Sequence, residues 1–178
     1  MSRVGKKAIL IPKEVSVNIN KNEIIIKGKF GTLQRFLSDN VSITLETEKI
    51  IVNRINDEKT SRASHGLHRA LIQNMINGVT QKFSKTLIAE GVGYRFQVDK
   101  NLLNLSLGFS HPVQFEIPED LTIKLESPTK LQLTGIDREK VGFFAAKIRD
   151  MKPPEPYKGK GILYEGEKIL RKAGKTGK

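Results

Sequence analysis

The stretch KNEIIIKGKF, residues 21–30, recurs as KNLLNLSLGF, residues 100–109, at a spacing of 79 positions. A second pair, VSITLE at residues 41–46 and LTIKLE at residues 121–126, recurs at a spacing of 80 positions. Shared segments at one nearly constant spacing indicate a duplicated module of about 80 residues. Chance agreement between short alternating patterns is the alternative, but the matched order of the segments argues against it.

The segments in and around these repeats alternate apolar and polar residues, which predicts strands with one buried and one solvated face. The alternating apolar positions are Val15, Val17, Ile19, Val41, Ile43, Leu45, Leu103, Leu105, Leu107, Val113, Phe115, Ile117, Leu121, Ile123, Leu125, Leu131 and Leu133. We therefore predict an α+β fold of two similar domains that arose by internal duplication. Each domain is expected to be a small, mostly antiparallel sheet packed on one helix.

Two segments change to a helical period, one near the end of each repeat. Residues 60–79 are predicted to be helical, with a cap at Thr60 or Ser61 and an end at Gly78. The predicted apolar face of this helix is formed by Leu67, Leu71, Ile72, Met75 and Ile76. Residues 137–151 are predicted to form the second helix. Its apolar face is formed by Val141, Phe144, Ala145 and Ile148.

Positive charge is concentrated at the two ends of the chain. The 178 residues include 31 Lys and Arg against 19 Asp and Glu, which gives a net charge of +12. Residues 1–7 carry a net +3 and residues 152–178 a net +5, so the two ends hold most of the excess. An excess of this size implies a polyanionic partner. A tail that merely keeps the protein in solution is the alternative.

The composition excludes several classes of protein. The sequence has no Cys, which excludes disulfides and thiolate zinc sites and is compatible with a reducing compartment. No apolar run approaches the ~20 residues that cross a bilayer, and no presequence is visible. His65 and His68 lack a third ligand, so we interpret them as solvated or capping side chains. We predict no cofactor, no metal and no enzymatic activity.

The segment PPEPYKGKGI, residues 153–162, is rich in proline, lysine and glycine. Its three prolines favour an extended, polyproline-like path. On such a path Lys158 and Lys160 face the same way, while Gly159 and Gly161 leave the backbone open to close approach by phosphate. The tyrosine of this segment offers a ring for stacking on a base. A tight turn packed on its own domain is the alternative.

This segment and three others together resemble one family. The motifs MSRVGKK, EGVGYR, LSLGFSHPV and KPPEPYKGKGI occur in this order, and the resemblance covers essentially the whole chain. They resemble the family of large-subunit ribosomal protein six of the bacterial and organellar type, for which the last motif is highly specific. The resemblance implies two similar sheet-plus-helix domains without catalytic residues.

The resemblance also implies partners and a site. The protein is expected to bind large-subunit ribosomal RNA as a monomer within the ribosome, near the sarcin–ricin loop and the stalk base. Neighbouring ribosomal proteins and translation factors are expected nearby, and no membrane is. The implied RNA contacts centre on Tyr157, Lys158, Gly159, Lys160 and Gly161, flanked by Lys152, Arg171, Lys172 and Lys175. Second-rank candidates are Tyr94, Arg95, Ser110 and His111, followed by Arg3, Lys6 and Lys7.

The repeats and the charge distribution together predict three parts of the chain. We place a first domain with a basic N-terminal arm at residues 1–82 and a second domain at residues 83–152. A basic, RNA-binding extension is expected at residues 153–178. Because this extension holds few apolar residues, its deletion is expected to leave the fold nearly intact.

The composition also bears on the source of the protein. Lys strongly outnumbers Arg, and Ile and Asn are frequent, which indicates an A/T-rich genome. The resemblance leans towards the cyanobacterial and plastid branch of the family, for example in VGFFAAKIRDMKPPEPYKGKGI, residues 141–162. Together with the absence of a visible presequence, this resemblance implies a plastid-encoded protein of the chloroplast ribosome. A protein of the cytoplasm of a low-G+C bacterium is the alternative.

Overall fold

The structure, a computed structural model, describes residues 4–20, 22–111 and 113–174. Arg3 and Lys175, two of the predicted RNA contacts, lie outside these residues. The chain divides into two units between Lys82 and Phe83, and the short segment Ile136–Arg138 groups with the first unit.

The first unit contains two three-stranded antiparallel sheets and one helix. The sheets have the orders β2-β3-β4 and β1-β6-β5. The helix packs against strands of both sheets, and the core lies between them. The elements are β1 Ile9–Leu10, β2 Ser16–Asn20, β3 Glu23–Gly28, β4 Gly31–Phe36, β5 Val41–Leu45, β6 Lys49–Arg54 and α1 Lys59–Gln81.

The second unit repeats this plan and adds one strand. Its sheets have the orders β8-β9-β10 and β11-β12-β7-β13, and all their pairings are antiparallel. The elements are β7 Phe83–Glu90, β8 Arg95–Asp99, β9 Leu102–Ser106, β10 Val113–Glu116, β11 Leu121–Ser127, β12 Lys130–Gly135, α2 Arg138–Asp150 and β13 Gly161–Tyr164.

The two units confirm the predicted fold class. Strands β1 to β6 correspond in order and pairing to β7 to β12, and each set is followed by a helix. The buried residues Ile24 and Ile26 of β3 recur 79 positions later as the buried Leu103 and Leu105 of β9. Each unit holds two small sheets.

Strand β13 has no counterpart among the described residues of the first unit, and it corrects the prediction for the C-terminus. Gly161–Tyr164 pairs with the outer edge of β7. Ile162 is fully buried and Leu163 nearly so. Within the described residues 153–174, the chain is therefore not simply an arm outside the second unit, because this strand contributes to its sheet and its core.

Both helices form where the sequence predicts them, and the apolar face of α2 is confirmed. The predicted cap and face of α1 are partly wrong. The helix starts after Glu58, with Ser61 buried inside its first turn and bonded to Asn56. Leu67 is 56% exposed. The helix also continues past Gly78, because the next residue, Val79, packs against the backbone of β3 at Gly28.

The two histidines of α1 are buried, which corrects their interpretation as solvated side chains. His65 donates from Nε2 to the carbonyl oxygen of Val52 at 2.8 Å. His68 accepts from the backbone N–H of Ser38 at 3.3 Å. Their counterparts 80 positions later in α2 are Ala145 and Ile148, both buried. The first unit thus places polar side chains, each bonded to a backbone group through Nε2, where the second unit places apolar ones.

The buried His68 predicts a pH-dependent stability of the first unit. Burial, and then the charge of Arg35, lower the pKa of His68 below its ordinary value of 6.5. Because the unfolded chain binds this proton more readily, the free energy of unfolding should fall as the pH drops from about 7.5 to about 5.5. Denaturant unfolding at several pH values measures this. The variant His68→Gln should lose most of that dependence, and an unchanged dependence would contradict the assignment.

Candidate nucleic-acid interface

The proline-rich segment forms a closed turn rather than the predicted extended ribbon. The N–H of Glu155 donates to the carbonyl oxygen of Lys160 at 2.9 Å, and the N–H of Gly159 donates to that of Glu155 at 3.1 Å. The N–H of Ile162 donates to the carbonyl oxygen of Lys152 at 2.7 Å, which ties the turn to the start of β13. The tight turn, the alternative considered for this segment, is what the structure contains.

The two glycines of this turn serve its internal packing. Gly161 has φ +145, and a Cβ there would lie 2.6 Å from the carbonyl oxygen of Pro153 and 2.7 Å from Cα of Pro154. Gly159 has φ +74, and its Cβ would lie 3.2 Å from a guanidinium nitrogen of Arg171. The prediction that these glycines leave the backbone open to phosphate is therefore wrong, because chain from the protein itself fills that space.

The side chains that face solvent on this turn are cationic and aromatic. Lys158 and Lys160 are exposed, and Tyr157 is 57% exposed. The chain after β13 returns to the turn, where the N–H of Lys172 donates to the carbonyl oxygen of Pro156 at 2.8 Å. The returning chain therefore adds two exposed cations to the two on the turn itself. The four exposed cations are Lys158, Lys160, Arg171 and Lys172.

Two further loops adjoin the turn within the second unit. Tyr94 is half-buried, and its ring contacts Gly91 and approaches Gly108, so it joins the loops at residues 91–94 and 108–111. The ammonium of Lys152 lies 4.6 Å from the centroid of the Phe109 ring. We call residues 91–94, 108–111 and 152–160 the loop cluster.

The second-rank candidates differ in what they offer to a ligand. Ser110 and His111 are exposed in the loop cluster, and Arg95 is exposed at the start of β8. Tyr94 instead packs against the core of the second unit. Its ring therefore also serves as a packing element of the second unit.

Ion pairs hold the chain that follows β13 to the rest of the second unit. The carboxylates of Glu165 and Glu167 take part in these pairs, so they do not neutralise the cations of the turn. Arg149 donates to both carboxylate oxygens of Glu167, at 2.6 and 3.3 Å. These bonds, and then the N–H of Tyr164, lower the pKa of Glu167. Lys130 pairs with Glu165 at 2.8 Å. Two of the three carboxylates in residues 152–178 are thus held by cations from elsewhere in the unit.

The N-terminal candidates belong to the first unit. Lys6 and Lys7 are exposed, but their backbone forms a turn docked on α1. Arg69 donates to the carbonyl oxygen of Lys7 at 3.0 Å, and Gly5 packs on the ring of His65. Over the described residues, this segment is a docked turn and not a projecting arm.

Sequence reasoning missed two exposed side chains beside the predicted contacts. Lys168 adds an exposed cation after β13. Phe109 is 42% exposed next to Lys152. Phe109 is the last residue of the repeated stretch at residues 100–109, and its counterpart in residues 21–30 is Phe30. Phe30 also carries a lysine ammonium over its ring, that of Lys82 at 4.9 Å from the ring centroid. The repeat was therefore the signal that pointed to it.

Other site types find no support in the described residues. Over residues 4–20, 22–111 and 113–174 there is no group of three or more His, Asp or Glu arranged to hold a metal ion. In the same part of the chain, no helix has the length and apolar character needed to span a membrane.

Comparisons with known proteins place these units in a common family. The chain matches the family model described as Ribosomal protein L6 over residues 11–82 and 90–165, one range in each unit. The large ribosomal subunit protein uL6 of Dictyoglomus thermophilum is 52% identical, over 100% of this chain and 99% of its own. That of Moorella thermoacetica is 53% identical, over 99% and 97%, and that of a Picosynechococcus species is 50% identical, over 100% and 99%.

Proposed function

The chain belongs to the ribosomal protein L6 family, and from this premise we propose that it binds large-subunit ribosomal RNA through the loop cluster of its second unit. It is a structural component of the large ribosomal subunit and not an enzyme. The proposal assigns the surface that binds the protein to the RNA and the kind of contact that each side chain on this surface makes.

The observation that carries this proposal is the set of exposed cations on a closed turn. Phosphate contacts fix the register of a protein on RNA, and they are strongest where the donors are already held in position. Three backbone hydrogen bonds and two glycines fix the path of the turn that carries Lys158 and Lys160. The return of the chain adds Arg171 and Lys172 to the same turn. A turn built in this way presents its charges with little loss of conformational entropy on binding.

The position of the protein in the ribosome is proposed from the family resemblance. In this proposal, the loop cluster contacts RNA near the sarcin–ricin loop and the stalk base, beside neighbouring proteins and close to the site of translation factors. The protein acts there as a monomer, without a membrane. We propose a plastid ribosome as its place, with which cyanobacterial relatives at about half identity are compatible. A bacterial cytoplasm, compatible with the same relatives, is the alternative.

Removal of two lysine charges from the turn tests the proposal. The double variant Lys158→Gln and Lys160→Gln keeps most of each side chain and removes only charge. We expect weaker binding to a transcript of the large-subunit ribosomal RNA and a salt dependence shallower by roughly two phosphate contacts, because fewer counterions are released. Binding isotherms at several salt concentrations measure both quantities.

The matched control removes the same charge elsewhere in the second unit. Lys124 is exposed on β11, at the opposite edge of the sheet from β13, and Lys100 is exposed in the turn between β8 and β9. The double variant Lys100→Gln and Lys124→Gln should bind as the unmodified protein does. Equal losses in the two double variants would show a general charge effect and contradict a site at the turn.

A further inference from the structure

We propose that Phe109 and His111, with Lys152, form a stacking platform for an unpaired base of the RNA. This inference rests on the proposed function and assigns a second kind of contact to the same surface. The lysines of the turn contact phosphate, whereas the platform contacts the face of a base. It therefore predicts that the bound RNA presents at least one base that is not stacked within a helix.

The geometry of the two rings supports this assignment. The ring centroids of Phe109 and His111 lie 6.2 Å apart, with the ring planes inclined by only 18°. Both side chains are exposed, Phe109 to 42%. This stacked pair of exposed rings presents aromatic surface of the kind on which unpaired bases stack in proteins that bind single-stranded RNA.

The ring of Phe109 lies outside the buried core and has two neighbours that hold its orientation. Phe109 is 42% exposed, and so it does not belong to the buried residues of the second unit. Its partners are the ammonium of Lys152 at 4.6 Å and the ring of His111. A cation over one ring and a second ring beside it fix the orientation of an aromatic side chain that the core does not fix.

The duplication supplies an internal comparison. In the first unit, β3 and β4 are joined by Lys29 and Phe30 alone, and Phe30 also carries the ammonium of Lys82 over its ring. In the second unit, β9 ends at Ser106 and β10 begins only at Val113, and the described loop residues between them are 107–111. The longer loop adds His111, and with it the second ring. The unit that carries the cationic turn is therefore also the unit in which the phenylalanine has gained a parallel aromatic neighbour.

Replacement of the ring tests the platform separately from the charges. The variant Phe109→Leu should bind the transcript of large-subunit ribosomal RNA about tenfold more weakly, within the range found for loss of one base stack. Its salt dependence should not change, because no phosphate contact is removed. The control Phe30→Leu, made in the equivalent hairpin of the first unit, should bind as the unmodified protein does. Unchanged affinity of Phe109→Leu, or a shallower salt dependence, would overturn the proposal.

A fluorescent reporter gives a second readout that does not depend on the size of the affinity loss. The sequence has no Trp, so Phe109→Trp and Phe30→Trp each carry a single indole. Stacking on a base should quench the indole at position 109 when the RNA transcript is added, and the indole at position 30 should be unaffected. Equal responses at both positions would overturn the platform.

Failure of the platform and failure of the proposed function are distinguishable. Suppose that the protein binds the transcript, that the lysine variants lower the affinity and that Phe109→Leu does not. The proposed phosphate contacts are then retained and the proposed stacking platform is wrong. If the unmodified protein shows no preference for the ribosomal transcript over a duplex RNA of equal charge, the proposed function itself is wrong.

Discussion

A chain that ends at Lys160 should fail to fold its second unit. Such a chain lacks β13, the strand that pairs with the C-terminal half of β7, residues 87–90. It also loses Ile162 and Leu163, which are 0% and 5% exposed. Removing two buried aliphatic side chains costs about 4 kcal/mol or more, a large share of the stability of a small domain. The exposed edge of β7 would in addition invite aggregation.

The control for this truncation is a chain that ends at Glu167. It retains β13 and the bonds from Arg149 and from the Tyr164 N–H to Glu167. Denaturant unfolding followed by circular dichroism should show two folded units in this chain and one in the shorter chain. If the shorter chain unfolds with the same amplitude and midpoint as the full protein, β13 is not needed for the fold of the second unit and the prediction is wrong.

The variant Gly161→Ala should destabilise the second unit strongly although it adds one methyl group. That methyl group would meet three backbone positions at 2.6 to 2.8 Å, on Pro153, Pro154 and Lys152. The φ of +145 at Gly161 is also one that other residues rarely adopt. Backbone strain and overpacking together predict a loss of about 3 kcal/mol or more in the free energy of unfolding.

Gly142→Ala serves as the matched control for that change. Gly142 lies inside α2, and a Cβ there would have no neighbour within 4 Å. Because alanine favours a helix over glycine, this variant should gain about 0.5–1 kcal/mol. Thermal or denaturant unfolding of the two variants measures the contrast. A Gly161→Ala protein as stable as the unmodified one would contradict the close packing of the turn.

The parts of the fold that could be predicted from sequence are those with a repeating pattern. Alternation and a spacing of about 80 positions predicted the strands, the antiparallel sheets and the duplication. The buried face of α2 followed from a regular helical period. The face of α1 was harder, because its first half is buried through Ser61, His65 and His68. Buried polar residues of this kind do not show in a pattern of apolar residues.

The parts that could not be predicted depend on contacts between distant segments. Strand β13 is only four residues long and follows a proline-rich turn, so its sequence alone does not reveal that it completes the edge of β7. The prolines of residues 153–156 were compatible with an extended path and with a tight turn. The backbone hydrogen bonds of Glu155 and Gly159 show that the segment forms the turn. Glycines that give access to a ligand and glycines that make room for the protein's own backbone look the same in a sequence.

The most direct test of the central claim is the reactivity of lysines towards an amine-modifying reagent, read by mass spectrometry in the free protein and in intact large ribosomal subunits. Lys158, Lys160 and Lys172 are exposed in the structure and should react readily in the free protein. In the subunit, their modification should be strongly suppressed, more so than that of Lys124 on the opposite edge of the same sheet. Equal reactivity of the three turn lysines in the free protein and in the subunit would contradict an RNA interface at the loop cluster.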